Sequence, residues 1–184
     1  CAKVSPYSRA MLSDLSVENK DDFLVARLGS LPSTPTSTDS TIIFQLAAAS
    51  ENMDLTVSTR STLVSAVSTA ARVLETTSET LVSISAALNA ATAVGSLGSG
   101  TMNRASYTPQ VETNQTLSIN DAILSEEAQT VALDLSENLV QRLQVRLAPQ
   151  GGGSLLSLTS TGVASQIAGT LSNIMLASLY QQNG

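Results

Sequence analysis

The chain has no histidine and no tryptophan, one cysteine, two phenylalanines and three tyrosines in 184 residues, and only 13% of its side chains are charged, against about a quarter in an ordinary domain. Without imidazole there is no Ser-His-Asp or Cys-His nucleophile and no histidine metal ligand. A lone cysteine excludes an internal disulfide. So few aromatic rings give little support to a concave small-ligand pocket, and leave the interior to Leu, Val, Ile and Ala, which suit close helix packing. The net charge is -6, and the nine cations Lys3, Arg9, Lys20, Arg27, Arg60, Arg72, Arg104, Arg142 and Arg146 are scattered. No basic stripe forms, so neither nucleic acid nor an anionic lipid surface is an expected partner.

The acidic pairs Asp21 with Asp22 and Glu126 with Glu127 are sequence neighbours, which sends them to different sides of an element, outside any recognisable acid/base motif. They read as solvated charges. "GSLGSGT" at 95–101 lacks the lysine and the preceding strand of a phosphate loop and reads as a helix terminator. The expectation is therefore a non-enzymatic chain with no catalytic residue, no cofactor and no metal.

What the sequence does have is serine and threonine, about a quarter of the chain, and a periodic apolar pattern. From Ile42, the positions Leu46, Ala49, Met53, Thr56, Arg60, Leu63, Val67, Ala70, Leu74, Thr77, Leu81, Ile84, Leu88 and Ala91 recur in alternating steps of four and three. A heptad register sustained this long predicts a coiled-coil-like helix, roughly 80 Å if unbroken. Asp39 or Ser40 would cap its start, and Gly95, Gly98 and Gly100 would end it. Thr56 and Arg60 are poor seam residues and Asp54 is placed like a second cap, so two helices or a kinked one compete with the single rod. The small seam residues Ala49, Ala70, Thr77 and Ala91 favour several packed copies over a free pair.

Residues 1–29 leave a short strand or a helical turn open, and "LPSTPTSTDST" at 31–41 reads as an extended linker. Residues 102–120 read as a loop with a short strand. Beyond them Ala128, Val131, Leu135, Leu139, Leu143 and Leu147 form a helical stripe, with a β-hairpin as the competing reading of the same segment. The last segment places Ala164, Ile167, Leu171 and Ile174 on one helical face, and no charged side chain follows Arg146. Interrupted by Ser, Thr, Gln166 and Asn173, it is unsuited to crossing a bilayer alone. A helix buried between subunits is favoured over one lining a pore. The fold class expected is mainly α: a long heptad-patterned helix or helix pair plus two shorter helices, elongated, with a minor β element as an option.

The only cysteine is the first residue of "CAKVSPY". In this it resembles a mature bacterial lipoprotein, whose first cysteine carries a diacylglycerol thioether and an acylated amine. Two or three acyl chains make a stable anchor where one holds only reversibly. The resemblance implies Cys1 as lipid anchor and the membrane as a partner through it, and Ala2 in place of Asp implies sorting to the outer membrane. Residues 1–40 are then an anchor and linker, and 41–184 a helical assembly domain. Ile42, Leu46, Leu63, Val67, Leu74, Leu81, Ile84, Leu88, Ile167, Leu171 and Ile174 would form the interface to other subunits of a homo- or hetero-oligomer. The expected function is a structural outer-membrane lipoprotein of a secretion or appendage complex. An extracellular filament or virion subunit, and a pore-lining export lipoprotein, are the alternatives.

Overall fold

Two threonines decide where the heptad stripe breaks, and a third opens the helix on which it starts. A computed structural model describes residues 17–51, 53, 55–93, 124–147 and 155–182. Thr36, Thr56 and Thr77 each adopt an extended backbone, and each side-chain oxygen accepts the amide three residues on, from Asp39, Thr59 and Thr80. An N-cap of this kind satisfies one of the four orphan amides that every helix start leaves, worth about 1 kcal/mol. At Thr36 and Thr77 the cap is reciprocal: Asp39 Oδ2 accepts from the Thr36 amide at 2.9 Å, and Thr80 Oγ1 from the Thr77 amide at 2.8 Å.

Among the described residues the chain forms six α-helices and no strand: α1 (Val17–Gly29), α2 (Ser37–Ser50), α3 (Val57–Val73), α4 (Ser78–Thr92), α5 (Glu126–Leu147) and α6 (Leu155–Gln182). The expected rod or helix pair over 42–91 is thus three helices. The chain breaks after Ser50 and again after Val73, and α2, α3 and α4 touch one another pairwise. The expectation of an elongated molecule is overturned with it, because the six helices pack as a globular bundle. Seam residues that a rod would offer to another molecule meet inside this one.

The remaining differences have equally local causes. Pro35 is buried and Thr36 caps α2 at once, so residues 37–41 of the Ser/Thr/Pro stretch read as a linker are the start of a helix. Residues 17–29 are helical, with Leu24 and Leu28 buried four positions apart. Asp21 reaches from α1 to accept the Thr56 amide at 3.2 and 3.3 Å, so chain before residue 40 belongs to the bundle. The hairpin alternative over 131–147 gives way to the single helix α5, whose Ala128, Ala132, Leu135 and Leu139 are buried on one stripe. The candidate short strand in 102–120 and the terminator glycines 95, 98 and 100 lie outside the described residues; α4 ends at Thr92 with Ala93 as its cap.

One core joins α1 to α6 through Leu24, Ile43, Leu63, Val67, Leu81, Ile84, Leu88, Leu139, Val163 and Ile174. Each large aliphatic side chain hidden this way contributes about 1.5–3 kcal/mol. Ala47, Ala70, Ala71, Ala87 and Ala91 lie between them, almost wholly buried, and let the helix axes approach. The hydroxyls are accommodated locally. Thr41, Ser61, Thr62, Thr69, Thr92, Thr130, Ser136 and Thr170 each donate to the carbonyl four residues back at 2.7–3.1 Å. Even fully enclosed serine and threonine therefore carry no unmet donor of consequence.

Candidate assembly surface

Two polar devices fix how the helices sit. Arg60, in the first turn of α3 and only 1% exposed, donates to the carbonyl of Met53 at 2.9 Å and to that of Ala93. It lies where the carbonyls ending α4 leave negative partial charge, a favoured place for a cation. The residue that spoils the heptad is thus the clasp between the α2–α3 turn and the end of α4. On α5, Arg142 donates in the same manner to the carbonyl of Ala71 in the last turn of α3, at 3.3 Å.

The second device orients α6. Asn89 of α4 donates to Gln166 Oε1 at 2.9 Å, and Asn173 donates to Asn89 Oδ1 at 3.3 Å and to Thr92 Oγ1 at 3.4 Å. Gly169, between Gln166 and Asn173, gives the Asn89 carboxamide its room. At the other end, Gln181 donates to the carbonyl of Leu124 at 2.9 Å, tying the tail of α6 to the entrance of α5. Gln166, Thr170 and Asn173 therefore face into the bundle.

Turning these polar groups inward leaves an unusual outer face on α6. Leu171, Met175, Leu176 and Leu179 are 39%, 66%, 45% and 54% exposed. Thr161, Ala164, Ser165, Ala168 and Ser172 complete the exposed strip. A surface helix ordinarily hides its apolar stripe and shows its polar one; α6 hides Val163, Ile167, Ile174 and Ala177 together with a polar ladder, and shows leucine and methionine as well, with no charge among them.

The sequence-expected interface divides accordingly. Leu46, Leu63, Val67, Leu81, Ile84, Leu88, Ile167 and Ile174 lie in the chain's own core, and Ile42 and Leu74 are half-buried against it. They hold the monomer together, because the turns that break the rod bring them face to face. Leu171 alone of that set is exposed. Met175, Leu176 and Leu179, one or two turns farther along, escape sequence reasoning, since Ser, Thr, Gln and Asn scattered among apolar residues all round the helix do not say which side faces out. Cys1 lies outside the described residues.

Elsewhere the described residues offer little chemistry at the surface. A cavity of about 520 Å³ opens between α1, α3 and α5, lined largely by Val25, Leu28, Pro32, Ile43, Ala66 and Val131, with Glu127 its one ionisable side chain. Ser61 and Ser125 share a hydrogen bond of 2.8 Å between α3 and the start of α5. No group of three potential metal ligands occurs among the described residues, and no described helix is long and apolar enough to cross a membrane. The Asp39 carboxyl is held below its ordinary pKa, first by the Thr36 amide and then by the Thr36 hydroxyl, against a small opposing effect of burial. That shift belongs to a helix cap and not to a catalytic centre.

No protein family, curated protein or solved structure matches this chain.

Proposed function

We propose that this chain is a structural, non-enzymatic subunit of a multi-subunit bacterial envelope assembly such as a secretion or appendage complex. It would be tethered at the outer membrane by acyl groups on Cys1 and joined to its neighbours through the outer face of α6. The observation that carries the assembly part is the uncharged outer face of α6, on which large aliphatic side chains are exposed although the helix already has an apolar buried face. Leu171, Met175, Leu176 and Leu179 face outward while Gln166, Thr170 and Asn173 face in. Rows of exposed large aliphatics beyond scattered single residues mark contact surfaces in soluble domains. The absence of histidine from the whole sequence supports the non-enzymatic part. The tether rests on the resemblance of Cys1 to a lipoprotein's acylated cysteine.

The extracellular filament or virion subunit remains the second reading, favoured by the same scarcity of aromatic and charged side chains. Native mass spectrometry of material extracted from its source separates the two. A chain heavier by two or three acyl groups and recovered in a larger complex is the expected result. An unmodified Cys1 in a filament or particle would replace the envelope reading, and a lone chain would overturn assembly altogether. A pore-lining role for α6 predicts its polar side chains turned toward a lumen, and the inward ladder on α4 gives that version no support.

A further inference from the structure

We infer that the partner seated on the outer face of α6 is α6 of a second copy, running antiparallel about a two-fold axis beside residue 170. The inference rests on the assembly reading and names its first contact.

The strip from Thr161 to Leu179 is graded in size. Its first half shows Thr161, Ala164, Ser165 and Ala168, and its second Leu171, Met175, Leu176 and Leu179, with Ser172 beside the middle. Antiparallel pairing centred at 170 sets unlike halves together: Met175 and Leu176 of one copy against Ala164 and Ser165 of the other, and Leu179 against Thr161. Ala168 meets Ser172 next to the axis. Large side chains enter the space that small ones leave, twice over, as an isologous contact requires. A parallel pair would set large on large and small on small. The exposed positions 161, 165, 168, 172, 175 and 179 also step by four and three, the spacing of a two-helix seam.

Charge selects the same partner. Two copies each carrying a net charge of -6 repel at most approaches, and no residue beyond Arg146 is charged, so this strip is where two chains meet without opposing carboxylates in the seam. A lipid surface fits less well, because interfacial helices flank their apolar side with Lys and Arg and α6 has neither. The strip is about 27 Å long on a helix roughly 10 Å across, an area of a few hundred Å² per copy and below that of a standard stable interface. The pairing is accordingly reversible, in the micromolar range or weaker.

The test is sedimentation of the full chain from about 1 µM to 1 mM, with the Met175→Glu and Ala168→Glu variants beside it. Both positions are exposed, so helical content and thermal midpoint should stay unchanged while dimerisation weakens at least tenfold. Direction is read by cross-linking in a Cys1→Ser background. Ala164→Cys chains mixed with Leu176→Cys chains should form a mixed disulfide, and Ala164→Cys chains alone should not. A chain monomeric throughout this range, or self-linking through Ala164→Cys alone, overturns the antiparallel pair. So does a monomer that binds phosphatidylcholine–phosphatidylglycerol vesicles through Met175. Failure here with a native complex still recovered from its source leaves the assembly reading standing with another partner; a lone native chain removes both.

Discussion

Asn89 Oδ1 of α4 lies 2.5 Å from the point a Cβ would occupy on Gly169 of α6, and the rest of that carboxamide lies within 3.2 Å. The glycine is the seat of the Asn89–Gln166–Asn173 ladder. A bare backbone there lets a polar side chain cross between two helices that are otherwise joined by aliphatic contact.

Replacing Gly169 with alanine therefore tests the ladder directly. Alanine is the better helix former by roughly 1 kcal/mol, yet at this position it must displace a carboxamide held by two partners, and we expect a net loss of about 1–3 kcal/mol. Gly162, on the same helix with nothing within 4 Å of its Cβ position, supplies the control. Gly162→Ala should stabilise by about 0.5–1 kcal/mol. Urea unfolding midpoints of the two variants should move in opposite directions.

Arg60→Ala leaves the Met53 and Ala93 carbonyls without their charged donor inside the bundle. Charge-assisted hydrogen bonds of this kind are worth about 1.5–3 kcal/mol each, and the expected loss is about 2–4 kcal/mol. Arg72, exposed in the last turn of the same helix, should change stability by less than about 0.5 kcal/mol when cut to alanine. Equal effects of the two substitutions would show that the buried guanidinium is not a clasp.

The break between α3 and α4 depends on the cap at Thr77. Thr77→Ala should cost about 1 kcal/mol, and Thr77→Ser, which keeps the accepting oxygen, should remain within a few tenths of the parent. Thermal unfolding followed by circular dichroism distinguishes the pair.

Asp39 predicts a pH dependence of definite sign. Its pKa is lowered in the folded chain by the Thr36 amide and hydroxyl, so the carboxylate's contribution is fully present above the ordinary aspartate value of about 4 and fades as pH falls through the lowered one. The thermal midpoint of Asp39→Ala should lie below that of the parent at pH 7, and the gap should close in strong acid. A gap that is constant with pH would mean the cap does not rely on the ionised form.

Much of the helical content was legible because apolar spacing and breakers are local signals. Leu135 and Leu139 announce α5, and Ile167 and Ile174 announce α6. The heptad from Ile42 was legible as a pattern but misleading as an object, since periodicity survives a turn of the right length. Met53 to Arg60 keeps the count while the chain reverses, and only the capping chemistry of Thr56 and Thr77, shared with many mid-helix threonines, tells the two apart. Asp54 and Arg60 point to the first of these breaks; no comparable residue marks the second, at Glu75–Thr77. Arg60 looked like a flaw in a seam because its acceptors, Met53 and Ala93, come together only when three helices close. The outer face of α6 was the least legible of all. Which side of an uncharged helix turns outward is settled by Asn89 and Gly169, a pairing between distant parts of the chain.

The back-bonded hydroxyls along these helices have an effect beyond the fold. A Ser or Thr whose proton is already given to its own turn can still accept a hydrogen bond but has no proton to offer a visitor, and Thr41, Thr62, Thr69 and Thr130 are exposed side chains of that kind. Recognition by such a skin works through relief rather than polarity: bumps and hollows choose the neighbour. Added salt should strengthen the contact between two copies modestly, by screening the net charge of -6 on each.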